Sequence, residues 1–480
     1  MTDPVELLEA QARHDLACLN YPPPNWPLSR QGVDGGSALD VLVVGGGQLG
    51  QTVAFALIRA GIRNLRVIDR ASRGSEGPWA TTARMPTLRS PKHLTGPDLG
   101  VPSLTFRAWY EAHHGRDGWE ALYKVGRTTW VDYLLWVRDL TGATVENNAA
   151  VEQLEPEGDT YRAMIEHADG RREQITARHV VFALGREGYG GARLPPFPSL
   201  AMRDVSGRIW HTSEPISDFS RFLGGRIAVL GANASAFDNA GEALEAGVSQ
   251  VVMWSRRPHL PQVNFTRGMT AGYLQGFVDL DDPTRWALST RLADEAAPPP
   301  HESVLRCEAH DGFEIRFGEG WRDLAVGETG VTVTTCSGVE LFDAAVLGTG
   351  YTVDLARQPA LAAVAGDALL WRDRVSADAA ALYPELARHP YLDEGFGLVS
   401  RNKADTHRRI HLLGTPAAVS HGTLVADIPG LGPSSLRVAG AISRALFAED
   451  APDLNKRLFE FDEPELQSTP YFVPKRRGFE

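Results

Sequence analysis

The sequence predicts an α/β protein built from two dinucleotide-binding, Rossmann-like three-layer domains, the second inserted into the first. Three observations carry this. An apolar strand from Asp40 runs into Gly45-x-Gly47-x-x-Gly50 and then into a helical pattern over 51–59. A second strand, turn, helix and strand begin at Arg226. Two similar apolar strands, Val180 to Leu184 and Ala344 to Leu347, end in Gly185 and Gly348 on either side of that second unit. The expected division is an N-terminal helix and linker over 1–38, a discontinuous domain over 39–205 and 341–480, and an insert over 206–340.

In the first unit each glycine has a reason. Gly45 permits the tight turn, Gly47 lets the backbone approach a pyrophosphate, and Gly50 lets the helix pack closely on the strand. Free N–H groups and the positive helix end then face the anion. Leu65 to Asp69 reads as the next parallel strand. Asp69 stands roughly 20 residues past the first glycine, where a carboxylate accepts from a ribose hydroxyl, with Arg70 beside it. A glycine turn without a ligand is the weaker reading once strand, helix, second strand and acid fall in this order. After Asp69 the segment Gly77-Pro78-Trp79-Ala80 and the stretch 85–106 are too broken for a long helix. Loops past the carboxyl ends of parallel strands are where such folds place ligands, so this loop, with Trp79, is expected over the cofactor.

Composition bounds the partners. The 480 residues are 43% hydrophobic and 22% charged, with a formal net charge of −12. That suits a globular chain of two or three domains and argues against nucleic acid or an anionic membrane as a general partner. Cys18, Cys307 and Cys336 form no Cys-x-x-Cys pair, which suits a reducing cytoplasm. The first twenty residues are acidic early and apolar at helical spacing, unlike a signal peptide. No segment approaches a bilayer-spanning run. Oligomerisation with further copies of the chain is left open.

Trp130 to Leu140 has apolar and aromatic residues at helical spacing, and Tyr161 to Glu166 with Gln174 to Ala177 reads as two strands about an Asp169-Gly170 turn. In the second unit, Gly231-Ala232-Asn233-Ala234-Ser235-Ala236 keeps the first glycine and replaces the other two. Its context restores the signal: a helix follows, then a strand from Gln250 ending in Ser255-Arg256-Arg257. Basic residues there, where the first unit has Asp69, suit a 2′-phosphate and favour NADPH over NADH. Gly231, Asn233, Ser235, Arg256 and Arg257 are the expected contacts. Further on, Gly350 and Tyr351 follow the late glycine-ended strand. Gly430 opens a helix, and glycine at a helix start permits close approach to a ring or phosphate. His407 and His411 have no Cys or acidic ligand set around them, and no metal site is expected.

Two dinucleotide turns, one nested between Gly185 and Gly348, with a closing glycine-led helix, resemble the FAD- and NADPH-dependent class B flavin monooxygenases. The likeness runs from Asp40 onward and implies a glutathione-reductase-type fold. Val205-x-Gly207-x-x-x-His211-x-x-x-Pro215 resembles the marker of flavin-containing and Baeyer-Villiger monooxygenases, with Val205 and Pro215 in place of its aromatic ends. Lys92-His93-Leu94-Thr95 and Arg127-x-x-Trp130-x-Asp132-Tyr133-x-x-Trp136 are similar to microbial ornithine and lysine N-hydroxylases, where the corresponding lysine holds the substrate carboxylate. His93 replaces that family's aspartate, and Arg89 stands where flavin-containing monooxygenases carry an asparagine. The resemblance implies FAD and NADPH as cofactors, O2 and a small molecule as substrates, and oxygen transfer through a C4a-peroxyflavin. Arg89, Lys92 and Asn264 are the candidates for the reacting side, and N-hydroxylation of a small amine or amino acid is the expected outcome. Baeyer-Villiger or sulfur oxygenation, and a nucleotide-binding sensor without turnover, are the alternatives. A disulfide reductase of the same plan lacks its paired cysteines here.

Overall fold

The computed structural model describes residues 3–32, 35–200, 207–215, 218–402 and 405–473. Val205 and the expected boundary at 205/206 lie outside these residues. Helix α1, Pro4–Cys18, is capped by Asp3, whose carboxylate accepts from the Val5 N–H. The chain then enters β1, Leu39–Val44, turns at Gly45, and continues as α2, Gln48–Arg59, and β2, Leu65–Ile68. Helices α3, Phe106–Ala121, and α4, Arg127–Thr141, follow. Next come β3, Ala149–Glu157, β4, Thr160–His167, and β5, Arg172–Phe182.

Strand β1 lies between β2 and β5, parallel to both, with Val44 opposite Ile68 and Phe182. The amino-terminal half of β5 pairs antiparallel with β4, and β4 with β3. Strand β3 has no counterpart in the sequence reading. Its alternation is broken by Glu152, Gln153 and Pro156, and the register shifts between Val151 and Gln153, so the period-2 signal is lost.

The second sheet begins with β6, Ile209–His211, and β7, Arg226–Leu230, followed by α5, Ala234–Glu245, β8, Gln250–Ser255, and β9, Phe313–Phe317. The meander β10, Asp323–Val326, β11, Val331–Thr334, and β12, Val339–Phe342, covers one face. There Trp254, Trp321, Leu324, Val333 and Phe342 form a core. Helix α5 covers the other face through Phe237, Ala240 and Leu244. Strand β13, Ala344–Leu347, lies between β6 and β7 in this sheet. The strand 344–347, expected with the first domain because of the 341 boundary, therefore pairs in the second sheet. Its sequence matches the Val180 strand so closely that pattern cannot tell which sheet it joins. Strand β14, Ile410–Leu412, returns to pair with β5, and the C-terminal helix Leu431–Glu460 packs on α2.

Among the described residues, the contacts between the halves include a ribbon and a helix. The crossings at 189–193 and 350–354 form a short antiparallel ribbon: Arg193 N–H donates to Gly350 O, Thr352 N–H to Gly191 O, and Asp354 N–H to Tyr189 O. The insert also sends the helix Asp282–Glu295 back to the C-terminal third. Trp286 packs there with Trp371, Ala387 and Val419 in a separate cluster.

Candidate active site

The two glycine turns have the same construction. An added Cβ on Gly45 would lie 2.5 Å from Ala183 O, and on Gly231 2.3 Å from Gly348 O. Gly45 N–H donates to Ile68 O and Gly231 N–H to Trp254 O. Each turn is thus pressed against the residue that follows the neighbouring glycine-ended strand, and both glycines have positive φ, at 102° and 105°. Gly50 is tighter: its Cβ would fall 1.7 Å from Gly45 O. In the second unit Ala236 occupies that position.

Gly47 is different. Its φ is −65°, and a Cβ there would meet only Gly77, at 3.9 Å. The turn keeps open space over Gly47 that its own fold does not fill. Gly47 is also the N-cap of α2 and offers no side chain to the first-turn N–H groups. A backbone cradle left open beside uncapped N–H groups fits a dinucleotide pyrophosphate. Gly47, Gln48, Trp79, Glu76 and Arg138 line one pocket, so the loop containing Trp79 comes to the turn as expected. Arg127 donates to Trp79 O and fixes that loop to α4. The Glu76 and Arg138 side chains, 5% and 4% exposed, form an ion pair at 2.6 Å. Neither was anticipated. The signal was a lone arginine on the otherwise apolar face of α4.

Asp69 accepts from Gly46 N–H and Ala71 N–H, each at 2.7 Å. It therefore braces the turn, and each oxygen keeps a second lone pair for a ribose hydroxyl. Burial raises its pKa against these two bonds. Arg70 is exposed, 3.8 Å from Glu187 just before the first crossing.

At the second turn Asn233 is the exposed N-cap of α5 and makes no side-chain cap. Ser235 Oγ accepts from Thr212 Oγ at 3.2 Å. Arg256 is exposed at the end of β8. Arg257 departs from expectation: its guanidinium donates to Asp294 O and Ala293 O, and so closes the end of the 282–295 helix. Gly350 and Tyr351 lie in the crossing ribbon, where the Tyr351 ring meets the edge of His211 with centroids 5.8 Å apart. A Cβ on Gly430 would strike Leu424 O at 2.4 Å, so this glycine serves packing at the helix start.

Of the three residues expected on the reacting side, one lies between the halves. Arg89 donates to Pro298 O of the insert at 2.7 Å. Burial lowers its pKa; Arg186 and Arg267 act in the same direction, while Asp427 and Asp238 oppose them. Residues from both halves thus converge on Arg89. The same loop is held by Arg84, which pairs with Glu242 of α5 at 3.2 Å. Lys92 is elsewhere: Nζ donates to Trp119 O at 2.6 Å and sits 4.9 Å from the centre of the Trp119 ring, satisfying the end of α3. Asn264 caps the turn Phe265–Gly268, its Oδ1 accepting from Thr266 Oγ at 2.7 Å.

Residues 42–187 match the profile of a FAD-NAD(P)-binding family, and residues 120–297 that of L-lysine 6-monooxygenase/L-ornithine 5-monooxygenase. The FAD-dependent urate hydroxylase of Xanthomonas campestris pv. campestris is 36% identical over 462 residues, covering 96% of each chain. Two solved structures share the fold. The ornithine hydroxylase of Pseudomonas aeruginosa has a TM-score of 0.67 at 17% identity, over 85% of this chain and 100% of that one. The L-lysine 6-monooxygenase of Pseudomonas syringae has a TM-score of 0.62 at 18% identity, over 85% and 99%.

Proposed function

The chain belongs to the FAD- and NADPH-dependent class B flavin monooxygenases, and from that premise we propose that it hydroxylates a small planar anion of the urate kind. The observation that carries this is the match to a urate hydroxylase along 96% of both chains. The site geometry agrees with it. An anionic heterocycle needs a guanidinium at its edge, because a planar fork pairs with adjacent ring acceptors in two hydrogen bonds. Arg89 supplies one between the halves, with Arg186 and Arg267 acting on it.

The balanced reaction takes substrate, O2, NADPH and a proton to hydroxylated substrate, water and NADP⁺. FAD, when bound, supplies oxygen activation, and the chain supplies position. The Gly45–Gly50 turn and Asp69 hold the adenosine diphosphate end of FAD. Arg256 meets the 2′-phosphate of NADPH. The loop around Arg84 and Arg89 is tied to the insert through Glu242 and Pro298, and keeping water from the space between the nucleotide sites would prevent diversion of reducing equivalents to hydrogen peroxide.

Hydroxylation of an amine nitrogen is the second reading, supported by the match over 120–297 and by the Lys92-to-Thr95 segment. It requires Lys92 to leave Trp119 O and turn to a substrate carboxylate. Oxygen uptake with peroxide release subtracted separates the two. Urate is expected to couple NADPH oxidation to hydroxylation, and Arg89→Ala to raise its KM by about tenfold or more, as for loss of a charge-assisted bond. Coupled turnover of ornithine or lysine, sensitive to Lys92→Ala, with urate inert, would overturn the urate reading.

A further inference from the structure

The side chains around the first glycine turn add to what its backbone offers. The pocket beside Gly46 and Gly47 has a volume of about 20 Å3 and is walled by Gln48, Gln51, Glu76 and Arg138 among others. That is room for one group the size of a water molecule. Gln48 is the first residue of α2, and α4 orients its amide. Trp130 Nε1, which only donates, bonds Gln48 Oε1 at 3.1 Å. The oxygen is therefore turned to Trp130, and the amide nitrogen with its two hydrogens has no acceptor among the described residues.

Arg138, on α4 as well, is only 4% exposed and donates through Nη1 to Glu76 Oε1 at 2.6 Å. A guanidinium carries five N–H donors, and among the described residues Nε and Nη2 have no acceptor. Glu76 has little left to offer them, because Oε1 also accepts from Asn147 Nδ2 at 2.6 Å and Oε2 from Gly74 N–H at 2.7 Å. Gln51, buried in the same wall, brings two more donors and one acceptor. The uncapped N–H groups at the start of α2 lie at the same turn. Donors thus outnumber open acceptors around the cavity. An oxygen that carries negative charge and no hydrogen satisfies them, whereas a water has two hydrogens of its own to place.

We infer that the side chains of Gln48 and Arg138 form an anion site that takes an oxygen of the FAD pyrophosphate, supplementing the N–H groups of the turn. This rests on FAD lying at the first turn. The dissociation constant of FAD from the full-length protein, measured by equilibrium dialysis, tests it. Gln48→Leu removes the donor and is expected to raise the constant by about tenfold, the loss of one charge-assisted bond. Gln48→Glu has nearly the same shape and still accepts from Trp130, but it sets a carboxylate against the phosphate. It is expected to raise the constant by about tenfold or more beyond Gln48→Leu. A water in the cavity predicts the reverse order, because a carboxylate accepts from water and keeps the Trp130 bond. FAD binding by Gln48→Glu as tight as, or tighter than, that by Gln48→Leu would overturn the assignment. Arg138→Gln keeps a donor for Glu76 and removes the cation, and is expected to weaken FAD binding by about tenfold or more. An unchanged constant, in Arg138→Gln protein shown to be folded by circular dichroism, would remove Arg138 from the site. Should the Gln48 order be reversed while Gly47→Val still purifies without flavin, the side-chain site fails and the placement of FAD at the turn stands.

Discussion

Gly47 and Gly50 are three residues apart and answer to different constraints. A side chain at Gly50 meets backbone at 1.7 Å, which can only be relieved by moving α2 off β1. Gly50→Ala is therefore expected to destabilise the protein by roughly 3 kcal/mol, the upper end of overpacking costs, measured by urea unfolding. A Cβ at Gly47 meets nothing closer than 3.9 Å, and Gly47→Val is expected to fold near normally while purifying without flavin, read from the ratio of visible to ultraviolet absorbance. Full flavin content in Gly47→Val protein would remove FAD from this turn. The two arginines after β8 separate in the same way. On the proposed role of Arg256, Arg256→Ala should raise the KM for NADPH by roughly tenfold or more and leave that for NADH nearly unchanged, as loss of a charge-assisted bond to the 2′-phosphate requires. Arg257→Ala should instead loosen the end of the 282–295 helix, whose carbonyls it satisfies, and shift both coenzymes equally.

At the scale of elements, one buried charge cluster joins four segments of the first domain. Arg178 on β5 bonds Asp40 at the start of β1 and both Asp450 and Glu449 on the C-terminal helix. Asp450 also accepts from Leu28 N–H and Arg30, which draws in the N-terminal segment. Arg178→Ala would leave buried Asp40 without its ion-pair partner and take one of the cations from Asp450 and Glu449, which keep Arg30 and Arg409, and a cost of about 3–5 kcal/mol is expected in chemical denaturation. The cluster also has a pH signature. Burial pushes Asp40 up to about 6 against the pull of Arg178. A carboxylate raised in the folded state stabilises it while protonated, so that contribution is present below the unfolded value of about 3.9 and fades as pH rises through 6. Burial by itself would raise Asp450, and the bonds from Arg178, Leu28 and Arg30 overcome that, holding it low. Its contribution runs the other way, present above the unfolded value and lost as pH falls through the folded one. Asp40→Asn should therefore flatten the pH dependence of stability between about 4 and 6, and a slope there equal to that of the unaltered protein would contradict the assignment.

For the whole molecule, the two halves meet through the crossing ribbon, through the 282–295 helix and through the loop of Arg84 and Arg89. Asp282 holds that helix by bonding Arg374 and Tyr391 of the C-terminal third. Movement between the nucleotide sites would have to break these bonds or bend the ribbon. Asp282→Ala is expected to raise amide hydrogen exchange across 271–295 while flavin content stays constant. Unchanged exchange there would mean that the Trp286–Trp371 packing, centroids 6.1 Å apart, holds the halves without help from Asp282. The insert is thus less separate than a chain crossing twice would suggest.

Both nucleotide folds and the choice of cofactors could be read from sequence because they are written locally. A strand, a glycine turn and a helix within twenty residues point to a phosphate cradle, and Asp69 against Arg256 is the local contrast from which the proposed choice of ribose is drawn. Trp79 could be placed for the same reason, as part of the loop after the second strand. The tertiary structure decided what depends on distant partners. Lys92 and Arg257 look available in sequence, but each cation lies against backbone carbonyls at a helix end, which no local pattern encodes. Arg138 and Glu76 are 62 residues apart and meet only because α4 packs over the turn. The His179–His411 contact is the extreme case, since the two rings are 232 residues apart and meet only because β14 pairs with β5. Local patterns fix what a segment can become, whereas the pairing of a buried charge or lone pair depends on which surfaces fold together, and desolvation makes that pairing decisive.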